Sequence, residues 1–374
     1  MKKSILHKVL AIALFTLVCL NAKAQVNILL PKAGEEPKDT VILSGMVDGY
    51  LAFDPINPTK TRRPYAVSSA RLNQFAINLA YVGIGYRSER VRVQLTTGFG
   101  TYMQDNYANE NVLNRFLLET YGGFKLSKKK DMWLDVGVFT SPFTYETAIS
   151  KDQLLYSRSL AAENAPYYVS GLRFTLPLSA KFTLILYGLN GWQTINFNSA
   201  SARSIAFASQ LQYKVNPRTS IYWNTFAGDA GSGQQPWLSA RYFNDFFVTY
   251  QGAKWDVSGT AYIGLQGIYN SLKHDYAWYS INASARYKFN TKFSLSARAE
   301  YFSDPNGILT APSQLQTRAF NVYSGTLGFK YAPVKNILLR FEGRGYGGQN
   351  GVFMRGNQQV NYSALLFTSM AVSF

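Results

Sequence analysis

Strict alternation of apolar and polar residues is the feature of this sequence that most limits how the chain can fold. In residues 293–301, Phe, Leu, Ala and Tyr occupy the odd positions, whereas Ser, Arg and Glu occupy the even ones. Residues 279–288 and 337–342 show related patterns. A two-residue period places successive side chains on opposite faces of a β-strand. The sequence therefore predicts strands that have one apolar face and one polar, charged face.

The connections between the alternating segments are short and long in turn. Seven are tight, such as the lysine-rich 127–131, and eight are longer and polar. A closed antiparallel barrel has tight turns at one rim and long loops at the other. A spacing of about 22 residues per strand and connection suits strands of ~9–11 residues that cross a bilayer at a tilt. We therefore predict an all-β chain: one transmembrane antiparallel β-barrel of about 16 strands, of the outer-membrane type, over residues 41–374. No helical period is evident. The predicted strands span residues 41–53, 71–86, 90–104, 112–126, 132–141, 167–178, 182–193, 203–215, 219–229, 239–251, 254–267, 276–289, 293–303, 318–332, 337–348 and 360–374.

The first 24 residues are expected to be a signal peptide. Lysines at positions 2, 3 and 8 precede an apolar-to-neutral run from Val9 to Leu20, and Ala22-Lys23-Ala24 has the small-residue cleavage pattern. The run is too short for a membrane-spanning helix. We expect export through this signal peptide, with residues 25–40 forming a short periplasmic segment before the barrel.

Composition excludes several classes of protein. Cys19 lies in the signal peptide, so the mature chain has no cysteine and cannot be a disulfide scaffold or a thiolate metal site. No metal or cofactor is expected. The formal net charge of +17 falls to +13 when the four lysines of residues 1–24 are removed. Much of the basic excess lies in the short turns rather than in one groove, so no nucleic-acid partner is expected.

Charges on the polar faces must point into the barrel, because an Arg or Lys that faces lipid near the midplane costs roughly 2–4 kcal/mol. With Asp48 included, the inward charges of the strand bodies are six arginines and five acids, which predicts at most a weak anion preference. The faces of segment 182–189 cannot be assigned from alternation. The predicted pore-lining residues are Arg115, Glu119, Arg173, Arg241, Asp245, Arg298, Glu300, Arg340, Glu342 and Arg344.

Aromatic residues concentrate near the short turns and the C-terminus, as expected for a girdle at one membrane interface. All of them except Phe182 have outward parity. The last strand must pair with the first to close the barrel. Its terminal Phe374 looks like the C-terminal signal by which the β-barrel assembly machinery of Gram-negative bacteria recognises outer-membrane proteins. The predicted girdle comprises Phe124, Phe182, Tyr213, Tyr250, Trp255, Phe289, Phe293, Phe329, Tyr331 and Phe374.

The longest connection, 142–166, mixes apolar and charged residues. A freely solvated loop would not need this mixture, and long ordered loops are commonly functional. We expect the segment to fold inward and narrow the lumen. The alternative is a surface loop packed over the barrel mouth. The candidate constriction residues are Glu146, Asp152, Arg158 and Glu163.

Two motifs suggest enzymes only weakly. His274 adjoins Asp275 in a long connection, but no nucleophile motif accompanies the pair. Residues 343–348, GRGYGG, match a dinucleotide fingerprint, but that fingerprint needs a helix directly after it. A strand that ends in a loop is expected there, and no catalytic residue is assigned.

Five motifs carry a resemblance to a known family. They are ILSGMVDGYLAFD at 42–54, GVFTSPFTYE at 137–146, YSRSL at 156–160, PYYVSGLRF at 166–174 and NGWQ at 190–193. Together they resemble the putative beta-barrel porin-2 family. Members often carry Gly immediately before the Tyr-Glu pair, where this sequence has Thr144. The resemblance covers nearly the whole mature chain and implies an outer-membrane porin.

These observations predict a porin in the outer membrane of a Gram-negative bacterium. Small hydrophilic solutes or ions would diffuse passively through a water-filled lumen, and outer-membrane lipid would cover the apolar faces. Assembly as a homotrimer is left open. The alternative is a structural or surface-interaction barrel with an occluded lumen. An outer-membrane hydrolase is the weakest alternative.

Overall fold

A closed antiparallel barrel contains sixteen of the eighteen strands in the described part of the chain. The computed structural model describes residues 39–196, 205–229, 238–268, 276–310 and 319–374. The segment 1–38, which includes the predicted signal peptide, lies outside these residues, as do His274 and Asp275. Ser199 and Ser232, which are expected in long connections that face the outside of the cell, also lie outside them. The strands are β1 (Asp39–Phe53), β2 (Phe75–Ser88), β3 (Val91–Phe99), β4 (Leu117–Lys125), β5 (Trp133–Thr140), β6 (Tyr168–Pro177), β7 (Phe182–Leu189), β8 (Ala206–Asn216), β9 (Thr219–Asp229), β10 (Leu238–Gln251), β11 (Trp255–Ile268), β12 (Tyr276–Lys288), β13 (Phe293–Asp304), β14 (Phe320–Tyr331), β15 (Ile337–Gly348), β16 (Phe353–Arg355), β17 (Gln358–Val360) and β18 (Tyr362–Ser373).

Each barrel strand pairs with its neighbours in sequence, and the first and last strands close the ring. β1 pairs with β18 from Met46↔Ser373 to Phe53↔Leu366, and β15 pairs with β18 on its other side. β16 and β17 form a separate hairpin in the last long connection. The prediction of a sixteen-stranded antiparallel barrel is confirmed. The predicted strand ends agree with the observed ones to within a few residues for most strands.

Two short α-helices, of which the sequence shows no sign, interrupt the long connections of this nearly all-β chain in its described part. Helix α1 spans Thr101–Asn106 and helix α2 spans Leu160–Glu163. Gly100, with φ of 116°, ends β3 and precedes α1, so the segment predicted as strand 90–104 stops at Phe99. Helices of six and four residues are too short to show an apolar period. They lie on long connections and leave the barrel topology unchanged.

The two faces of the strands separate as the alternation predicts. In β13, Leu295, Ala297 and Ala299 are exposed on the outer surface, whereas Ser296, Arg298 and Glu300 are buried inside. The same separation occurs in β11, β12 and β14. Together the outward residues form an apolar surface that soluble proteins rarely expose. No helix in the described residues is long and apolar enough to cross a membrane.

Aromatic residues near the short turns lie on the outer surface. Phe124, Trp255 and Phe289 are 52%, 49% and 58% exposed. Phe182, whose face alternation could not assign, is also exposed and stacks on Tyr213, with 4.5 Å between ring centroids. Pairing with β8 places Phe182 outward, because Tyr213 is its direct cross-strand partner.

Candidate constriction site

The third long connection, residues 141–167, folds into the barrel and crosses its lumen. At its entry, Phe143 packs edge-on against Phe243 of β10, with 5.3 Å between ring centroids. The next residue, Thr144, has φ of 57°, and its backbone N–H donates to Asp245 Oδ2 at 2.8 Å. A β-branched residue is strained in this left-handed conformation, whereas glycine is not. A glycine at this position, as the resemblance implies for the family, would adopt this conformation without strain.

A narrow neck holds the two halves of this connection together. The Arg158 guanidinium donates to the carbonyl of Thr147 at 2.6 Å and to that of Ala148 at 3.1 Å. The carboxylate of Glu146 accepts from the backbone N–H of Ser159 at 3.0 Å and from its hydroxyl. Residues 148–157 therefore form a loop whose two ends are held together by these hydrogen bonds, and we name this loop the tongue.

Backbone groups of the tongue bind charges on the barrel wall. The N–H groups of Tyr156 and Ser157 donate to the Glu342 carboxylate at 2.6 and 3.1 Å. Arg340 donates to the carbonyls of Ser150 at 2.7 Å and Gln153 at 2.9 Å. Charge-assisted hydrogen bonds are the stronger class in proteins. The tongue is thus fixed to β15 at both of its sides.

A chain of alternating charges joins the neck to β13 and β15. Arg298 lies 3.2 Å from Glu146 and 3.3 Å from Glu300, and Glu300 also pairs with Arg344. The side chains of Arg298, Glu300 and Arg344 are fully buried. Glu300 also accepts from the N–H of Leu160 at 2.6 Å. Charges buried in this way are tolerable because each has an opposite partner and further hydrogen bonds.

The wall formed by β3, β5 and β6 carries a second ion cluster that no loop covers fully. Asp135 binds the guanidinium group of Arg92 at 2.6 Å and that of Arg173 at 3.0 Å. Arg92 lies over the Trp133 ring and Arg173 over the Phe139 ring. The arginine side chains remain 22% and 16% exposed, in contrast to those buried by the tongue. Solvent therefore reaches this side of the lumen.

The structure brings most of the sequence-predicted residues to this inner surface. Asp245, Arg298, Glu300, Arg340, Glu342 and Arg344 all bind the third connection or each other as described above, and Arg173 binds Asp135 in the second ion cluster. Arg241 lies between the rings of Trp192 and Trp278, with its guanidinium 4.8 and 5.0 Å from their centroids. Glu119 pairs with Thr96 across β3 and β4 and is on the inner face.

Two predicted residues are placed differently from the rest. Arg115 belongs to a 3-10 turn, Asn114–Phe116, before β4, where it donates to the carbonyls of Ala108 and Glu110. The prediction that it lies in a strand body is therefore wrong, because β4 begins only at Leu117. Asp152 is exposed at the tip of the tongue and pairs with the adjacent Lys151 at 2.8 Å.

Glu163 links the third connection to the first. Its carboxylate accepts from the N–H of Val67 at 2.8 Å and from that of Ser68 at 3.3 Å. Burial raises the pKa of the Glu163 carboxyl, although Arg63 and the two N–H donors oppose the rise. The first connection therefore packs against the constriction from the long-loop side.

Sequence reasoning missed several inward charges near the strand ends. Arg92, Asp135, Asp256 and Lys330 have inward parity, but the count of strand-body charges did not include them. Their position on the inward-facing parity of the alternating segments was the signal that could have identified them. No group of three or more His, Cys, Asp or Glu that could hold a metal ion occurs in the part of the chain that the structure describes. The GRGYGG motif forms the last six residues of β15, and no helix follows it.

Comparison with known proteins identifies the family. Residues 40–374 match the model of the family described as "Putative beta-barrel porin-2, OmpL-like". The chain belongs to this family. No curated protein sequence matches it significantly.

Solved structures of porins and outer-membrane channels share the fold. The anion-selective porin from Comamonas acidovorans has a TM-score of 0.59 at 10% identity, covering 90% of this chain and 100% of that porin. The outer-membrane channel DcaP of Acinetobacter baumannii has a TM-score of 0.59 at 12% identity, covering 91% and 99%. The trimer form of OmpT from Vibrio cholerae, folded in vitro, has a TM-score of 0.58 at 11% identity, covering 90% and 99%. Family and fold together identify a passive outer-membrane porin.

Proposed function

We propose that this porin is a narrow diffusion channel for small hydrophilic solutes, in which the connection 141–167 sets the size limit. The observation that carries the proposal is the tongue, residues 148–157, which lies inside the barrel and is bound to charges of the wall. Solutes would pass beside it, along the wall of β3, β5 and β6, where Arg92 and Arg173 keep solvent-exposed surface. No catalytic step is part of this proposal.

A swelling assay with liposomes that contain the refolded protein tests the size limit. We expect monosaccharides to enter and cause swelling, whereas trisaccharides should not, because the tongue occupies part of the lumen. Liposomes without protein are the control. Absence of swelling with every solute, although the barrel is folded, would instead favour the occluded structural barrel. A buried apolar cluster inside the barrel, which includes Phe243, Trp278 and Phe320, is the observation that favours this second candidate.

The proposal places the long connections outside the cell and the short turns in the periplasm. The mature chain has no cysteine, so single cysteines report their own accessibility. We expect Asn357→Cys, in the exposed turn between β16 and β17, to react with an impermeant maleimide on intact cells. Lys129→Cys, in an exposed short turn, should react only after the outer membrane is permeabilised. Labelling of Lys129→Cys but not of Asn357→Cys on intact cells would show that the short turns, not the long connections, face the outside of the cell.

Phe374 is proposed to act as the assembly signal as well as an outward anchor. Its backbone exchanges two hydrogen bonds with Gly45, at 3.0 and 3.1 Å, and its ring lies over this glycine and is 66% exposed. A charge there would face lipid near the rim and remove the recognised aromatic residue. We expect Phe374→Asp to reduce the amount of folded protein in the outer membrane by roughly tenfold, whereas Phe374→Tyr should retain it. Equal levels of Phe374→Asp and native protein in membrane fractions would disprove the role.

Self-association as a homotrimer is part of the proposal and is supported by the trimer form of the Vibrio cholerae OmpT structure. Light scattering of the detergent-purified protein measures the mass of the assembly directly. A protein mass of three chains is expected. A mass of one chain would contradict the trimer without affecting the proposed channel.

A further inference from the structure

Four cationic side chains gather on the inner wall, at the ends of the strands next to the short turns. They are Arg286 and Lys288 of β12, Lys330 of β14 and Arg340 of β15, and we name them the basic cluster. Of these four residues, only Arg340 belongs to the contacts of the constriction described above. Arg286 and Arg340 both donate to the Gln153 carbonyl at the tip of the tongue, at 3.0 and 2.9 Å. The basic cluster therefore lies directly on the short-turn side of the tongue.

The strand register brings three of these cations into one row. Lys288 is the cross-strand partner of Ser294, Ser294 is the partner of Lys330, and Lys330 is the partner of Arg340. Neighbouring strands are about 4.8 Å apart, so the two lysine ammonium groups can reach one ion bound above Ser294. Lys330 and Arg340 are direct partners of like charge, an arrangement that destabilises a sheet unless something compensates.

Too few carboxylates are available to compensate this cluster. Asp256 of β11 binds Lys288 at 2.6 Å and lies 3.9 Å from Arg286. One acid therefore faces four cations. Glu342 and Asp48 also act on Arg340 electrostatically. However, Glu342 is bound by the tongue, and Asp48 accepts from the Asn78 amide at 3.0 Å. Asp152, at the tip of the tongue, is paired with Lys151.

Several hydrogen-bond donors in the basic cluster and next to it have no acceptor among the described residues. The Lys330 ammonium makes no hydrogen bond or ion pair there, although it is half-buried and near the charges of Arg286, Arg340 and Lys288. The hydroxyl groups of Ser294 and Ser296, which are both 2% exposed, also have no partner, and neither do the Nε atoms of Arg286 and Arg340. Buried polar groups are normally satisfied, so unused donors beside excess positive charge provide what an anion site requires.

We propose that the basic cluster binds a small oxyanion of two or more negative charges, of the size and chemistry of phosphate. The anion bridges the ammonium groups of Lys288 and Lys330, accepts a hydrogen bond from Ser294 and offsets the repulsion between Lys330 and Arg340. This inference rests on the proposed channel, because the site lies where a solute that has passed the tongue emerges. The inward charges counted from the sequence are nearly balanced, whereas positive charge is in local excess at the basic cluster.

Inorganic phosphate is the probe, added at millimolar concentrations to a potassium chloride solution in which single channels conduct in a planar bilayer. We expect phosphate to lower the chloride current saturably at constant ionic strength. Lys330→Gln should weaken this inhibition roughly tenfold, because it removes a charge-assisted contact. It removes none of the bonds that hold the tongue. Lys129→Gln is the matched control, since it removes one lysine charge from an exposed turn at the same rim, and it should leave the inhibition unchanged.

The outcomes separate the site from the channel. Conducting channels whose current phosphate does not reduce, or reduces equally in Lys330→Gln and native protein, would overturn the anion site and leave the channel intact. If the folded protein does not conduct, the channel proposal fails, and titration calorimetry of the detergent-solubilised protein with phosphate decides on the site. Binding that Lys330→Gln weakens would support the site, and absence of binding would refute it.

Discussion

Replacing the tongue, residues 148–157, by a short glycine–serine linker is expected to let trisaccharides enter liposomes that the native porin excludes. The neck makes this change possible without distorting the barrel. Thr147 and Arg158 are already joined by a hydrogen bond of 2.6 Å, so a short linker can span the gap. Removing the tongue frees the space between β15 and the opposite wall. Water can then solvate Arg340 and Glu342, which lose their backbone partners.

The control for this change is the same linker at a different long connection. Residues 355–358, the exposed turn of the β16–β17 hairpin, contact no part of the tongue in the described hydrogen bonds and ion pairs. Replacing them should leave the size limit as it is in the native protein. An unchanged size limit in a folded tongue variant would show that the connection 141–167 does not control passage.

Arg298→Met is expected to be the most destabilising single substitution in the lumen. Arg298 is fully buried between Glu146 and Glu300, and it also donates to the Ser157 carbonyl at 2.8 Å. Methionine fills a similar volume but, among the residues that the structure describes, leaves Glu146 without an ion-pair partner and Glu300 with only Arg344. Removing one partner of a buried ion pair costs about 3–5 kcal/mol. Urea unfolding of the refolded protein in detergent micelles measures the loss.

Arg92→Met is the matched control for the Arg298 substitution. It removes an arginine from an ion cluster of the same lumen, but Asp135 keeps Arg173 at 3.0 Å and the site is partly solvated. Asp135 is buried, but it keeps one arginine and Arg92 is 22% exposed, so we expect a loss between the ~1 kcal/mol of an exposed pair and the ~3 kcal/mol of a buried one. The double variant Arg298→Met with Glu146→Gln should recover part of the stability, because it removes the charge that Arg298→Met leaves unpaired. Equal losses for both arginine substitutions would show that the buried chain of charges has no special role.

The barrel could be predicted from the sequence because alternation is a local property. The polarity of each residue, such as Leu295 or Arg298, indicates which face of the strand it is on. Because lipid covers the outside and water the inside, only one register places the apolar residues outward and the charged residues inward. The alternation of short and long connections then set the order and number of strands. Where alternation was absent, in β7, only pairing with β8 assigned Phe182 to the outer surface.

The constriction could be predicted only in outline, since its contacts join residues far apart in sequence. Composition indicated that 142–166 folds inward, and Glu146 and Arg158 are buried there. Nothing local shows that backbone N–H groups of the tongue would bind Glu342, or that Asp152 would stay exposed. Helix α1 and the turn that holds Arg115 were likewise hidden, because segments of one turn carry no period.

Single-channel conductance of the purified, refolded protein in a planar bilayer tests most directly whether this barrel is a channel narrowed by an internal tongue. We predict stable open steps in potassium chloride, with a conductance that rises several-fold when residues 148–157 are replaced by the linker. Absence of steps from native and tongue-replaced protein, in samples whose barrel is folded and inserted, would contradict the account.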